Sequence, residues 1–525
     1  MSSQPENRTT SPASFFGTQG FKAGVNGVLA EIQTMYRQDD IPWIIGYSGG
    51  KDSTAVLQLV VLALRGLAQA ERTKPVFVIS TDTMVENPIV AGWVKSSLKR
   101  LDDLAEAEDL KLKPFRLTPE INGTYWVNLI GRGYPAPRPK FRWCTERLKI
   151  DPVTEFIGSV VKNHREAIIV LGTRKAESAA RAQVMSRLDK RANRDRLRPH
   201  DALPNASVYS PIEAWSNDDV WMFLMQVPNP WGHSNEDLLT MYRGATADGE
   251  CPLVVDGSTP SCGDSRFGCW VCTMVDKDRS MMAMIKNDQE KEWMQPLLDL
   301  RDELIPRDDE GFPADRHLRD FRRMGGFVSL MDNKDEIIPG PYTQAVREQW
   351  LSKLLSAQRH IAEAAPPEMR DIELISLDEL RAIRRIWITD KHEIEDNLPV
   401  IFESVMGLPF PDEQFAEDLP IGREEIAILK EVCGVDDLHF ELTRQLLSVE
   451  RQHRGLVRRA GLFDELDRAF QRNFYTDAED ATERAVEQRN RLRRAMREID
   501  PEPYLQPADG EPVLPDLDAS ELSPS

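Results

Sequence analysis

Ser48-Gly49-Gly50-Lys51-Asp52-Ser53-Thr54 follows the apolar run Trp43-Ile44-Ile45-Gly46-Tyr47 and leads into Ala55-Val56-Leu57-Gln58-Leu59-Val60-Val61-Leu62. The order is strand, glycine turn, helix. Such a turn aims several backbone N–H groups and a helix N-terminus at one point, which makes it an anion site. Two glycines let the backbone approach the anion closely. Lys51 adds a point charge, and Ser48, Ser53 and Thr54 add hydroxyls.

The Walker A pattern, Gly-x-x-x-x-Gly-Lys-[Ser/Thr], fails at two places. Asp52 follows Gly50-Lys51, and position 45 is Ile. The loop instead resembles the Ser-Gly-Gly-x-Asp-Ser loop of the ATP pyrophosphatases, the PP-loop. That resemblance implies that Ser48, Gly49, Gly50, Lys51, Asp52, Ser53 and Thr54 grip the phosphates of ATP and that pyrophosphate leaves while an acceptor oxygen is adenylated. An ordinary glycine-rich turn is the plain alternative.

Strand and helix patterns alternate over residues 21–245. Val76 to Thr81 and Ala167 to Gly172 read as buried strands, and Ile89 to Leu104 as the helix after the first of them. This alternation implies an α/β fold with a parallel sheet and helices on both faces. Ligands of such sheets bind beyond the C-terminal strand ends. Ser48, Asp82 and Arg174 all fall at such ends. Gly123 to Arg142 reads as an irregular loop beside them. Ser216 to Asp219 resembles a capping box, with Asp where Glu is usual.

Residues 1–20 and 501–525 read as disordered, the latter acidic. Residues 246–280 are rich in cysteine and turns. Residues 281–500 read as a mainly helical extension, with clear periodicity over Val346 to Ala364, Leu377 to Ile388 and Ala481 to Ile499.

The chain has 525 residues, a formal net charge of −20 and 41% hydrophobic residues. It is long enough for two or three domains. No run of about eighteen apolar residues occurs, so no membrane association is expected, and Met1 to Arg8 lacks an apolar signal region. A cytoplasmic protein is expected. The net charge argues against nucleic-acid binding by bulk charge. One stretch differs: Arg174, Lys175, Arg181, Arg187, Lys190, Arg191, Arg194, Arg196 and Arg198 are opposed within it only by Glu177, Asp189 and Asp195. A solvated helix face is the plain reading of such a run. Its position beside the expected site favours a phosphate-tracking groove.

Six cysteines in a long chain without a secretion signal point to metal or redox use. Cys262, Cys269 and Cys272 lie close together, the last two as Cys-x-x-Cys. Cys251 lies upstream, Cys144 is distant, and Cys433 reads as a core residue. One knuckle with irregular spacing suits a four-cysteine iron–sulfur cluster better than zinc, which normally pairs two knuckles. Cys144, Cys262, Cys269 and Cys272 are the expected ligands, with Cys251 as the substitute or a free persulfide carrier. Zinc and plain redox thiols stay open.

Several further stretches resemble the PAPS reductase-like branch of the PP-loop family, also described as adenine nucleotide alpha hydrolase-like. They are Thr81-Asp82-Thr83 through Pro88, Cys144 to Lys149, Gly172 to Arg181, and Ser210 to Trp221. Gly172-Thr173-Arg174-Lys175-Ala176-Glu177-Ser178-Ala179-Ala180-Arg181 resembles that branch's Gly-x-Arg-x-x-Glu-Ser-x-x-Arg motif. The resemblance implies that Arg174 and Arg181 hold a substrate phosphate, that Glu177 orients one of them, and that Asp52 and Asp82 face Mg²⁺. The adenylylsulfate reductases carry a Cys-Cys pair where Trp143-Cys144 stands here, and their terminal catalytic cysteine is missing after Cys433.

More narrowly, Arg142 to Asp151 and Ser261 to Thr273 resemble the sulfurtransferases of bacterial DNA phosphorothioation systems. That resemblance implies ATP, Mg²⁺ and a [4Fe-4S] cluster as cofactors. It implies the DNA phosphate backbone as acceptor, a cysteine desulfurase as sulfur donor, and other phosphorothioation proteins as partners. A tRNA thiolation enzyme, a sulfonucleotide reductase and a non-catalytic nucleotide-sensing scaffold are the rival readings.

Overall fold

The computed structural model describes residues 14–17, 19–191, 194–245, 267–310, 312–411, 423–454 and 459–499. Six strands form one sheet: β1 (Trp43–Gly46), β2 (Val76–Thr81), β3 (Leu112–Leu117), β4 (Ala167–Val170), β5 (Arg198–Pro199) and β6 (Ala206–Tyr209). Their spatial order is β3-β2-β1-β4-β6-β5. All neighbours are parallel except the short β5, which runs antiparallel to β6. The expected parallel α/β sheet is present.

The chain builds outward from β1 through β2 to β3, then returns to place β4 on the other side of β1. Trp43 pairs with Val76 on one side and Ile168 on the other. The strand order therefore reverses between β1 and β4, and loops leaving the two strand ends diverge there. This is the crevice where open α/β sheets bind ligands.

Both faces of the sheet are covered because its central strands are apolar on every residue. Ile44, Ile79 and Ile169 pack with Ile157 and Val160 of the helix Asp151–His164. On the other face Trp43 meets Tyr36 edge-on at 5.6 Å. The helix Lys51–Arg65 buries eleven side chains between the sheet and the helices Phe21–Arg37 and Asn217–Gln226. Near-total burial explains why its sequence, from Ala55 to Leu62, is almost wholly apolar rather than amphipathic.

The capping box is realised. The Ser216 side chain accepts from the Asp219 N–H, and Asp219 accepts from the Ser216 N–H and hydroxyl. Asp219 is fully buried and also accepts from Ser14 Oγ at 2.6 Å and Phe15 N at 3.0 Å. Phe16 packs on Trp215 at 5.2 Å. Composition reads residues 1–20 as disordered, yet Ser14 to Phe16 are ordered by this carboxylate and by Trp215.

Burial pushes the Asp219 carboxyl up, but the hydrogen bonds from Ser14, Ser216 and Phe15 outweigh it and leave its pKa below the ordinary value. A depressed folded-state pKa stabilises above the unfolded value, and that stability is lost as pH falls through the folded value. Asp219→Asn should therefore flatten the acid limb of the stability curve below pH ~4. Urea midpoints of both proteins between neutral and acid pH would show it, and parallel curves would refute it.

Two compact units divide the chain: Met1–Asp315 with Tyr342–Leu419, and Arg316–Pro341 with Pro420–Ser525. The helical extension is thus not one body. The helices Gln344–Ala364, Leu377–Thr389 and Asn397–Met406 belong to the unit with the sheet. Trp126 Nε1 donates to Leu374 O and Trp387 Nε1 to Ile130 O, at 2.9 and 3.0 Å. Arg347 with Glu393 and Arg384 with Asp396 form buried ion pairs there. The anchor of these bonds is a π-helical turn, Val127–Gly131. It lies within the stretch expected to be an irregular loop. Asn128 Nδ2 ties the turn back to the preceding residues by donating to Asn122 O and Thr124 O, and Gly131 is its last residue.

In the second unit the helices Asp437–Arg454 and Leu462–Arg472 pack together, and Asn473 Nδ2 donates to Gln445 Oε1 at 2.9 Å. Cys433 ends the helix Arg423–Cys433 and is half-buried, not a core residue. Among the described residues, no helix is long and apolar enough to cross a membrane.

Candidate functional site

The Ser48–Thr54 loop leaves the C-terminal end of β1 and enters the helix Lys51–Arg65. Gly49 has φ +73°, and a Cβ there would stand 2.4 Å from Val94 Cγ2. Both facts demand glycine. Gly50 caps the helix without a side-chain hydrogen bond, so no cap side chain occupies the first-turn amides. Ser53 Oγ accepts from Ser48 N at 3.2 Å and donates to Gly50 O at 3.0 Å, which closes the loop on itself. Thr54 is buried just behind. The residues fit a phosphate chain: a glycine N-cap that brings no side chain, a close-approach glycine and a lysine at one helix N-terminus.

The loop after β4 meets this turn across the strand-order reversal. A Cβ on Gly172 would stand 2.8 Å from the Asp52 carbonyl carbon and oxygen, so the two loops touch backbone to backbone. Arg174 is only 4% exposed and donates from Nε to Asp52 Oδ1 at 2.7 Å. Lys51 Nζ lies 3.3 Å from Asp52 Oδ2. Asp52 thus bridges two cations, one from each side of the crevice. The family resemblance implies a substrate-phosphate role for Arg174. In this structure its guanidinium faces Asp52 and the Trp215 carbonyl.

Glu177 sits exposed on a single 3₁₀ turn, Lys175–Glu177, whose amide closes on Arg174 O at 3.3 Å. Arg181 falls in the helix Ala179–Asp189, and its side chain lies outside the described residues. Asp82 follows β2, accepts from Met84 N at 2.9 Å and pairs with Arg116. Asp52 and Asp82 therefore each face protein cations. As they stand they do not fit a divalent ion.

The cationic stretch is compensated from elsewhere in the chain. Arg194 pairs with Asp39, Arg196 with Glu31 and Glu213, and Arg198 with Asp189 and Glu213. Arg187 and Arg191 share Asp201. Lys175 lies 3.6 Å from Asp189 and from Glu213. Glu31 and Asp39 come from far away in sequence, while Asp189, Asp201 and Glu213 lie within or just beyond the stretch.

Three cysteines approach the same strand ends. Cys269 pairs as an isolated antiparallel bridge with Glu86, and its Sγ lies 3.3 Å from Thr83 Oγ1, just past β2. Cys272 N donates to Cys269 O at 3.0 Å, the turn expected of Cys-x-x-Cys. Cys144 lies on the short helix Trp143–Thr145. Burial drives the Tyr125 phenol far above its usual value, and the thiols of Cys144, Cys272 and Cys269 all add to that. Burial also pushes Cys269 up to about 12, with Glu86 adding. Burial pulls Lys149 down, but Cys269, Glu86, Cys144 and Cys272 near it outweigh that and raise it above its usual value. Cys251 and Cys262 lie outside the described residues. Among the described residues, no group of three or more His, Cys, Asp or Glu is arranged to hold a metal ion. The donor set is soft sulfur with a lysine beside it, which suits an iron–sulfur cluster in kind.

Two residues outside every motif organise the site. Tyr242, in the helix Asn235–Gly244, accepts from Lys51 N at 3.3 Å and packs edge-on against Phe267 at 4.8 Å. Arg301, 2% exposed, holds the carbonyls of Cys272, Val275 and Asp276. Neither carries a sequence signal, because each acts through a contact made only in the fold.

Residues 42–230 match the phosphoadenosine phosphosulfate reductase domain, so this region is PAPS reductase-like. Over 263 residues the chain is 24% identical to the uncharacterized protein MJ0066 of Methanocaldococcus jannaschii. The match covers 50% of this chain and 42% of that one, so the chain spans less than half the length of this relative. Among solved structures, Candida glabrata FMN adenylyltransferase, in complex with FAD and inorganic pyrophosphate, matches at 15% identity and a TM-score of 0.27. That match covers 46% of this chain and 72% of the other. The U34-tRNA thiolase NcsA from Methanococcus maripaludis, with its [4Fe-4S] cluster, matches at 13% identity and a TM-score of 0.27. Here the shares are 54% and 80%. At these scores neither structure bears on the activity.

Proposed function

We propose, from the premise that residues 42–230 form a PAPS reductase-like PP-loop domain, that this chain is an ATP-dependent sulfurtransferase of the DndC type. It adenylates a DNA backbone phosphate, releases pyrophosphate, and exchanges a non-bridging oxygen for sulfur. One observation carries the reading: an anion-binding loop and a set of thiols share one sheet edge. The loop follows β1, and Cys269 touches Thr83 just beyond the neighbouring β2. Tyr242 and Phe267 join the two in space.

The chemistry fits that arrangement. A phosphodiester oxygen is a poor leaving group. Transfer of AMP to it forms a phosphoanhydride, breaks the α–β bond of ATP and makes AMP the later leaving group. Lys51 and the N-terminus of the helix Lys51–Arg65 neutralise the departing pyrophosphate, which is the main electrostatic gain in such a transfer. Asp52, held by Arg174, keeps Lys51 at the loop. Cys144, Cys269 and Cys272, with Cys262, would hold a [4Fe-4S] cluster, which would supply a redox or sulfur-relay centre. A cysteine desulfurase supplies persulfide sulfur, which attacks the adenylated phosphorus, expels AMP and leaves a phosphorus-bound disulfide. A thiol reductant, here the free cysteine, then cleaves that S–S bond to leave the phosphorothioate. Partners of the phosphorothioation system dock on the chain. The ion-paired basic stretch leaves DNA to be held by phosphate contacts at the crevice rather than by a free cationic groove.

The test is anaerobic purification, iron and sulfide analysis, and incubation with ATP, a DNA duplex, cysteine and a cysteine desulfurase. AMP, pyrophosphate and phosphorothioate dinucleotides, detected by mass spectrometry after nuclease digestion, are the expected products. ADP with inorganic phosphate would defeat the loop assignment. Sulfur appearing in tRNA and not in DNA would move the acceptor to RNA.

A further inference from the structure

Tyr242 is buried in the helix Asn235–Gly244, held edge-on by Trp221 at 5.1 Å and Phe267 at 4.8 Å. Its hydroxyl sits at the helix N-terminus that the loop presents. Lys51 N donates to it at 3.3 Å, and a Cβ on Gly50 would stand 3.3 Å from it. Lys51 Nζ lies 5.5 Å from the centre of its ring. A phenol oxygen therefore accepts the first amide of the loop helix, as a phosphate oxygen does in such sites. The hydroxyl also has a hydrogen to donate.

We propose that Tyr242 is a nucleotide-contacting residue: its hydroxyl donates to a phosphate oxygen of ATP bound at the Ser48–Thr54 loop. This rests on the reading of that loop as an ATP site. Two further features support it. Burial, the first cause, pushes the Tyr242 phenol up to about 12, so it stays protonated as a donor at neutral pH. The ring is also wedged between the loop and Phe267, two residues before Cys269, so its orientation is fixed before the nucleotide arrives. A donor pre-set in this way loses little entropy on binding.

The test is equilibrium binding to the full-length protein, with ATP and adenosine as separate probes, in wild type and Tyr242→Phe. The variant keeps the ring and its packing and removes only the hydroxyl. The expected result is ATP affinity weaker by about tenfold to a hundredfold, the range for one hydrogen bond to a charged group, with adenosine affinity unchanged. Inorganic pyrophosphate, used as a competitor, should weaken in parallel. Equal ATP affinities in wild type and variant would overturn the assignment of Tyr242 alone. An equal loss for ATP and adenosine would also overturn it, since that marks general damage to the pocket. Wild type without ATP affinity would overturn the loop reading and this inference together. A thermal melt of both proteins confirms that the ring still packs.

Discussion

Arg174→Met should lower ATP turnover by roughly 10²–10³-fold in kcat/KM and reduce the unfolding free energy by about 3 kcal/mol. Arg174 is 4% exposed and its Nε lies 2.7 Å from Asp52 Oδ1. Breaking a buried ion pair by removing one partner strands the other charge. The stability loss sits at the low end of that range because the Asp52 side chain is a quarter exposed and keeps Lys51 at 3.3 Å. The turnover loss is larger because the ammonium is then drawn fully onto Asp52, away from the phosphates. Arg174→Lys discriminates the causes. It restores a charge but not the Nε contact or the bond to the Trp215 carbonyl. It should recover most of the stability and little of the turnover. Denaturant melts and pyrophosphate release on the three proteins check this. Turnover that recovers along with stability would show that Arg174 matters only for folding.

The strand–glycine–helix signal around Ser48 was legible because every local feature agreed: apolar strand, two glycines, apolar helix. Val76 to Thr81 was equally clear, being an unbroken β-prone run. By contrast β3 carries Pro114 and the charged residues Lys113 and Arg116, because it is an edge strand paired only with β2. Proline is tolerated at such edges, and its presence hid the strand. The basic run shows a different limit. Its charges were visible, but Glu31, Asp39, Asp201 and Glu213, which neutralise them, are brought in by the fold. The same holds for the site. Asp52 and Arg174 are 122 positions apart, and the motifs named both without revealing that they bind each other. The cysteines of the knuckle could be recognised, while the arginine that holds their turn could not.

That arginine should give a large stability effect. Arg301 lies in the helix Gln295–Glu303 and is 2% exposed. Its Nε donates to Cys272 O at 3.0 Å, Nη1 to Asp276 O at 2.6 Å, and Nη2 to Val275 O. Arg307 adds a bond to Thr273 O at 3.1 Å. The segment has no regular secondary structure, so these side chains replace the backbone partners that a helix or strand would supply. Arg301→Leu would strand three carbonyls, each costing about 1–3 kcal/mol. Some carbonyls would reach water beside the exposed Asp276 and Val275, so a total near 4 kcal/mol is expected. Arg301→Lys should rescue little, since one ammonium cannot span three carbonyls held by a planar fork. Amide exchange by mass spectrometry should show the loss first at residues 269–276, ahead of global unfolding. The same variant should lose iron faster to a chelator, because Cys269 and Cys272 would no longer be held at one turn. Protection at 269–276 equal to that of wild type would show that the turn is held by the packing of Trp270 alone, which is 1% exposed beneath it.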